Sequence, residues 1–203
     1  MLDTRAATYF CSGHVPGSIN IGLGGQFAAW AGSVLGLDRE LILVAEDDAT
    51  VEEARLRLAR VGIERVVGKV EEGIPGWARA GLPLAEIEQI TVQDLEAEMA
   101  RNAELAVVDV RRSSEWSQGR IPGAVLRPLD QLRTGLGSLD PAKLTAVHCK
   151  SGYRSAIACS LLQAHGFERA MNVLGGFDAW SAGGLAAGDR TGACTGGKTA
   201  GAT

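Results

Sequence analysis

The chain lacks most of the features that mark specialised proteins. Cysteine occurs four times in 203 residues, at positions 11, 149, 159 and 194, and never as a C-x-x-C pair. This excludes a disulfide framework and points to a reducing compartment, with the cytoplasm as the expected location. Histidine occurs only three times, and Cys11-x-x-His14 has no second half, so no structural zinc site is expected. No apolar run reaches the roughly 20 residues that span a bilayer. Met1-Leu2-Asp3-Thr4-Arg5 has neither a basic nor an apolar leader region, so no secretory signal is expected. No charge of one sign dominates: 20 Lys and Arg against 24 Asp and Glu give a net charge of −4. Neither a nucleic-acid nor a polybasic membrane role follows from that balance. What remains is ordinary globular material, 46% apolar and 22% charged, enough for one large or two small domains.

What the chain does contain is an internal duplication. Leu2-Asp3-Thr4-Arg5 returns as Val108-Asp109-Val110-Arg111, and Gly13-His14-Val15-Pro16-Gly17-Ser18 as Gly119-Arg120-Ile121-Pro122-Gly123-Ala124, both at an offset of 106. Gly62-Ile63-Glu64-Arg65 returns as Gly166-Phe167-Glu168-Arg169 at 104, and Gly73 and Trp77 as Gly176 and Trp180 at 103. The order is kept while the offset drifts, so two tandem units are expected, over 1–87 and 88–185.

The second unit shows its elements clearly. Thr91 with Asp94 three residues later predicts a capped helix running to about Arg101. Ala106–Val110, Leu144–His148 and Met171–Leu174 are short apolar runs of the kind that form buried strands. A helix is expected from about Arg154 to His165, with Ala158, Leu161 and Leu162 on its apolar side and Gly166 as its cap. Strands alternating with helices predict an α/β fold: in each unit a mostly parallel sheet, flanked by helices on both faces. The first unit begins abruptly at the strand matching Val107–Val110, with no counterpart of the leading helix and strand. An α/β domain without an edge strand reads as part of a longer protein, the alternative being a compact variant. Residues 186–203, small and polar without apolar period, are expected to form a flexible tail.

The chemistry concentrates in His148-Cys149-Lys150-Ser151-Gly152-Tyr153-Arg154-Ser155, which joins a buried strand to a helix. Ligands of parallel sheets bind beyond the carboxyl ends of the strands. The start of the helix adds unpaired N–H groups and partial positive charge, a natural anion site. Cys149 opens this loop, where the positive field favours its thiolate. Lys150 and Arg154 add charge, Gly152 permits a tight turn, and Ser151 and Ser155 supply hydroxyls. Such a cradle suits a persulfide or an oxyanion such as thiosulfate. A buried inert cysteine is the bland alternative, for which a basic, polar loop is poor material.

Cys149-x4-Arg154 after a strand resembles the active loop of the rhodaneses, the thiosulfate sulfurtransferases. Asp109-Val110-Arg111, Gly119-x-Ile121-Pro122-Gly123-Ala124 and Gly175-Gly176-Phe177-x-Ala179-Trp180 resemble the family's other signatures in order, with Arg120 where the family usually has His. The resemblance implies a two-step transfer. Cys149 takes sulfane sulfur from thiosulfate or a low-molecular-weight persulfide, and a thiol or cyanide acceptor removes it. Cys149 and Arg154 would be catalytic. Lys150, Ser151, Gly152, Tyr153, Ser155 and Arg111 would bind substrate, with packing the alternative for Tyr153 and an ion pair to Asp109 the alternative for Arg111. No cofactor or metal is implied. Similar phosphatases and arsenate reductases carry five residues between Cys and Arg; the four here favour sulfur. A non-enzymatic persulfide carrier or docking module is the competing function.

In the first unit the matching loop reads Ala45-Glu46-Asp47-Asp48-Ala49, so Ala45 or Glu46 stands opposite Cys149 and neither carries sulfur. Thr50-Val51-Glu52-Glu53 is expected to form a capping box, and the acidic loop to repel anions. This unit should keep the fold without the activity. Gly22–Trp30 reads as a turn and amphipathic segment suited to an interdomain or docking surface. With Gly13–Ser18 it resembles the degenerate repeat of fusions with a metallo-β-lactamase-type domain, making such a fused or separate domain a possible partner. Cys159 is expected in the core, Cys11 in a loop and Cys194 in the tail. His14 should orient backbone, and His148 should face away from Cys149.

Overall fold

The computed structural model describes residues 1–188. The first unit runs β1 (Leu2–Asp3), α1 (Ala7–Ser12), β2 (Ile19–Asn20), α2 (Phe27–Leu35), β3 (Leu41–Val44), α3 (Asp48–Ala59), β4 (Val66–Lys69) and α4 (Gly73–Arg79). The second runs β5 (Glu88–Ile90), α5 (Val92–Arg101), β6 (Ala106–Asp109), α6 (Ser113–Trp116), β7 (Val125–Leu126), α7 (Leu132–Gly135), β8 (Thr145–His148), α8 (Tyr153–Ala164), β9 (Ala170–Val173) and α9 (Gly176–Ala182). Each unit forms its own sheet of parallel strands, ordered β2-β1-β3-β4 and β5-β9-β8-β6-β7. The two orders coincide once β5 is removed. The element without a counterpart is therefore the leading strand, as the duplication predicts.

The repeated Asp-x-Arg signature becomes the same device twice. Arg5 forks onto Asp3 and donates to the Gly13 carbonyl at 2.8 Å. Arg111 forks onto Asp109 and donates to the Gly119 carbonyl, also at 2.8 Å. Both carboxylates are fully buried, so each pair locks its strand end to the following turn. The last step of the drift, from 104 to 103, also has a structural cause. The β3–β4 register shifts between Leu41 and Ile42, a bulge that absorbs one extra residue in the first unit.

The second unit's leading elements cover one sheet face. Ile90, Val92 and Leu95 pack over Val107, Ala146 and Met171, all buried. In the first unit Met1 and Ile42 stand where Val107 and Ala146 stand and are 42% and 40% exposed. The capping box of Thr91 and Asp94 forms as expected.

The other sheet faces meet in one shared core. Leu2, Phe10, Leu43 and Leu58 of the first unit belong to the same apolar cluster as Val108, Val147, Ile157 and Leu162 of the second. At its centre lies α8. Sequence periodicity predicts an apolar side for this helix, yet Ser155 through Leu162 are buried without a break. The reason is the first unit, whose β2 and α1 pack on it. The Asn20 N–H donates to Ser160 Oγ at 3.0 Å, and His14 Nε2 lies 2.7 Å from Gln163 Oε1. Ser160 donates back to the Ile157 carbonyl at 2.7 Å, so its hydroxyl is buried but satisfied.

Three expectations need correcting. Cys11 lies in α1, not a loop, and is 2% exposed. The cap of α3 is Asp47, whose carboxylate accepts the Thr50 N–H at 2.7 Å; Thr50 itself is inside the helix, so the expected box does not form. The start of the expected tail is tied down: the Ala186 carbonyl accepts from Trp180 Nε1 and the Gly188 N–H donates to Arg120. The rest of that stretch, with Cys194, lies outside the described residues.

Candidate active site

Strand β8 delivers the chain to Cys149 at its carboxyl end, and α8 starts four residues later. Gly152 precedes the helix with φ of 111°, a conformation that favours glycine, and this turns its N–H inward. That N–H donates to Cys149 Sγ at 3.1 Å. The sulfur therefore sits at the positive end of a 12-residue helix with a backbone donor aimed at it. Ser155 donates to the Gly152 carbonyl at 3.0 Å and is buried, so its hydroxyl braces the turn.

The loop is clamped from behind by the start of α9. The Phe177 N–H donates to the Cys149 carbonyl at 2.8 Å and the Asp178 N–H to the Lys150 carbonyl at 2.9 Å. A Cβ on Gly176 would run into both of those carbonyls, which is why the Gly175-Gly176-Phe177 signature accompanies the cysteine loop. In the first unit a Cβ on Gly73 would strike the Ala45 carbonyl in the same way. Ala45, and not Glu46, is thus the counterpart of Cys149.

Cys149 is itself 1% exposed, at the floor of a cavity of about 400 Å³. The second unit contributes Ser151, Tyr153, Arg154, Arg112 and Glu115 to its walls. The first unit contributes Gly25, Gln26 and Trp30, so the Gly22–Trp30 segment lies between the units as its composition suggested. Tyr153 anchors this wall: its hydroxyl donates to the Gly22 carbonyl at 2.8 Å, and its ring covers Gly25. Burial pushes the Tyr153 phenol up to about 12, so it stays a donor.

Arg154 lines the cavity but its charge is engaged. Nη1 and Nη2 reach the two carboxylate oxygens of Glu115 at 2.6 and 2.7 Å. The Arg154 hydrogen bonds, with help from the Arg112 N–H, hold the Glu115 carboxyl down at about 2. Arg111 is 3% exposed, locked to Asp109 and stacked on the Phe177 ring at 4.1 Å. It lines, with Glu115, Lys150 and Phe177, a second cavity of about 500 Å³ that adjoins the first at Glu115. The structure thus brings Cys149, Ser151, Gly152, Tyr153 and Arg154 together. Lys150 and Arg111 line the second cavity instead, and Ser155 is buried with its hydroxyl on the Gly152 carbonyl.

His148 is fully buried with Nε2 3.6 Å from Asp109, the orientation that strand alternation predicts. Burial pushes its pKa below the ordinary range, so it is neutral. Burial also pushes the Cys11 thiol up to about 11 and the Cys159 thiol higher than ordinary. In the first unit Asp47 caps α3, and Asp48 pairs with Lys69, so the acidic loop is satisfied internally.

Glu115, Arg112, Gln26 and Trp30 escaped sequence reasoning as site residues. For Glu115 a signal existed: an acid four residues after Arg111, in the first turn of a helix. Gln26 and Trp30 lie in the Gly22–Trp30 segment, whose composition marks an interdomain surface without naming the cavity they line; Arg112 carries no local signal.

With this geometry in hand, the chain matches the Rhodanese-like domain family over residues 1–80 and 91–183. A protein of Allochromatium vinosum named Sulfurtransferase is 30% identical over 99 residues, covering 49% of this chain and 92% of that protein. A Bacillus subtilis protein, YrkF, named as a candidate sulfur carrier, is 27% identical over 97 residues, 48% of this chain and 52% of its own. The crystal structure of a rhodanese-like domain protein from Staphylococcus aureus covers 46% of this chain and 91% of its own at 34% identity, with a TM-score of 0.44.

Proposed function

Because the chain belongs to the rhodanese-like domain family through both of its units, we propose that it moves sulfane sulfur through a persulfide on Cys149. Its relatives include sulfurtransferases and a candidate sulfur carrier, so sulfur transfer or sulfur carriage is the activity class. The observation that carries the finer reading is the Gly152 N–H directed at Cys149 Sγ, at 3.1 Å and at the start of α8.

In the first half-reaction the Cys149 thiolate attacks the sulfane sulfur of thiosulfate or a persulfide. The donor's S–S bond breaks, and sulfite or a thiolate leaves with the bonding electrons. The terminal sulfur left on Cys149 carries the negative charge, which the loop amides and helix start hold. In the second half-reaction an acceptor thiolate or cyanide attacks that terminal sulfur and returns Cys149 as thiolate. Arg154 and Ser151 line the space into which the sulfur would extend, and Tyr153 walls it. Lys150 and Arg111 lend positive charge from the adjoining cavity. The first unit, residues 1–87, keeps the fold, with Ala45 in place of the nucleophile, and completes the cavity of the unit at 88–185. The sparse, unpaired cysteines support the cytoplasm as the location of the reaction. The resemblance of Gly13–Trp30 extends the reading to a metallo-β-lactamase-type domain as partner. Among the described residues no helix is long and apolar enough to cross a membrane.

The test is thiosulfate-to-cyanide and persulfide-to-thiol turnover by the wild type and Cys149→Ser. Turnover lost in the variant supports an enzyme. Sulfur loading without turnover supports a carrier. Equal activity in both removes Cys149 from the function.

A further inference from the structure

We infer that Arg112, together with Trp30 and Gln26 of the first unit, recognises an organic thiol or persulfide bearing a carboxylate as the partner that exchanges sulfur with Cys149. This rests on the reading of Cys149 given above and names the substrate class of the same cavity.

A census of the cations around the site leads to Arg112. Arg111 is committed to Asp109 and the Gly119 carbonyl. Arg154 is committed to both oxygens of Glu115. Arg57 donates to the Leu23 carbonyl at 2.6 Å and to Glu53. Arg120 lies over the Trp116 ring, and Lys150 lines the second cavity and not that of Cys149. Arg112 alone among these is an exposed residue lining the Cys149 cavity whose guanidinium makes no ion pair or hydrogen bond among the described residues. Its neighbour Glu115 cannot quench it well, since both carboxylate oxygens already accept from Arg154, and one also from the Arg112 N–H at 3.0 Å. An uncommitted guanidinium at the mouth of a cavity is a site for a planar anion, and a carboxylate matches its fork.

The cavity, about 400 Å³ and open to solvent, leaves room for an anion with an organic body. The first unit's share of the lining suits such a body. Trp30 offers an aromatic face, and Gln26, one helical turn earlier, an exposed side-chain amide; the Trp30 N–H donates to the Gln26 carbonyl. Neither side chain hydrogen-bonds another described residue; Trp30 packs in part on the shared core and keeps the rest of its ring toward the cavity, while Gln26 is exposed. The segment that carries them is fixed in advance by Tyr153 on Gly22 and Arg57 on Leu23, which lowers the ordering cost of binding. The inactive unit would thus set the selectivity of the active one.

The experiment compares N-acetylcysteine with its carboxamide as acceptors, two thiols that differ only in the charge of one group. Wild type should prefer the acid. Arg112→Ala should erase that preference, by tenfold or more in the ratio of kcat/KM values and through KM, while Arg112→Lys should keep part of it. Trp30→Ala should raise KM for both thiols alike. Binding of S-methyl-N-acetylcysteine to Cys149→Ser, followed by calorimetry, reads the same contacts without chemistry. It should weaken tenfold or more when Arg112→Ala is added. An acid-to-amide ratio or a binding constant unmoved by Arg112→Ala overturns the inference, as does an equal loss for both thiols. Absence of both turnover and sulfur loading on Cys149, with retained, Arg112-dependent binding, would instead overturn the reading of Cys149.

Discussion

Arg154 and Glu115 face each other through two parallel hydrogen bonds of 2.6 and 2.7 Å, joining the first turn of α8 to α6 beside the sulfur. The arginine that closes the Cys149 loop therefore positions the cavity wall as much as it charges the cavity.

This pair sets a pH dependence. The Glu115 carboxyl is lowered from 4.5 to about 2, first by the Arg154 hydrogen bonds. A carboxylate lowered on folding stabilises fully above its unfolded value and loses that contribution as pH falls through the folded one. Glu115→Gln should thus lower Tm by a few degrees near neutral pH, with the gap to wild type closing between pH 4.5 and about 2. Thermal melts across that range measure it; a constant gap would contradict it.

Thiol reactivity should be uneven. Cys11 is pushed up to about 11 and Cys159 is raised by complete burial, whereas Cys149 borders an open cavity with a donor on its sulfur. In a Cys194→Ser chain near neutral pH, iodoacetamide should label Cys149 at least about tenfold faster than the other two. Peptide mapping after timed labelling checks this.

The sharing of α8 between the units has an energetic signature. Ile157 is fully buried in the common core, and Leu56 on α3 is 60% exposed. Ile157→Ala should cost about 2–5 kcal/mol. Leu56→Ala should stay within about 0.5 kcal/mol. Urea titrations of both variants decide it.

Restoring a thiol to the first unit should not restore chemistry. Ala45→Cys would place sulfur at the counterpart of Cys149, but the loop around it carries Glu46, Asp47 and Asp48, and Asp47 already occupies the Thr50 N–H of α3. In a Cys149→Ser background this change should yield no added sulfur after exposure to thiosulfate. A gain in mass would refute the view that the acidic loop excludes anions.

Much of this was legible in the sequence because the duplication repeats local devices. The Asp-x-Arg forks, the α5 capping box, the Cys149 loop and the missing leading strand all follow from short spacings. The interface did not, since Ser160 looks like a helix surface residue until Asn20 bonds to it. Lys150 adds charge to the loop in the sequence as Arg154 does, and Arg111 reads either as a substrate-binding residue or as the ion-pair partner of Asp109. Which side of a turn a side chain takes depends on distant packing, here on Phe177 and Asp178 behind the loop.

The most direct measurement is intact mass spectrometry after exposure to thiosulfate or a thiol persulfide. The account predicts one added sulfur, removable by a thiol or cyanide, on wild type and none on Cys149→Ser. An unmodified wild type, or the same gain on Cys149→Ser, would contradict it.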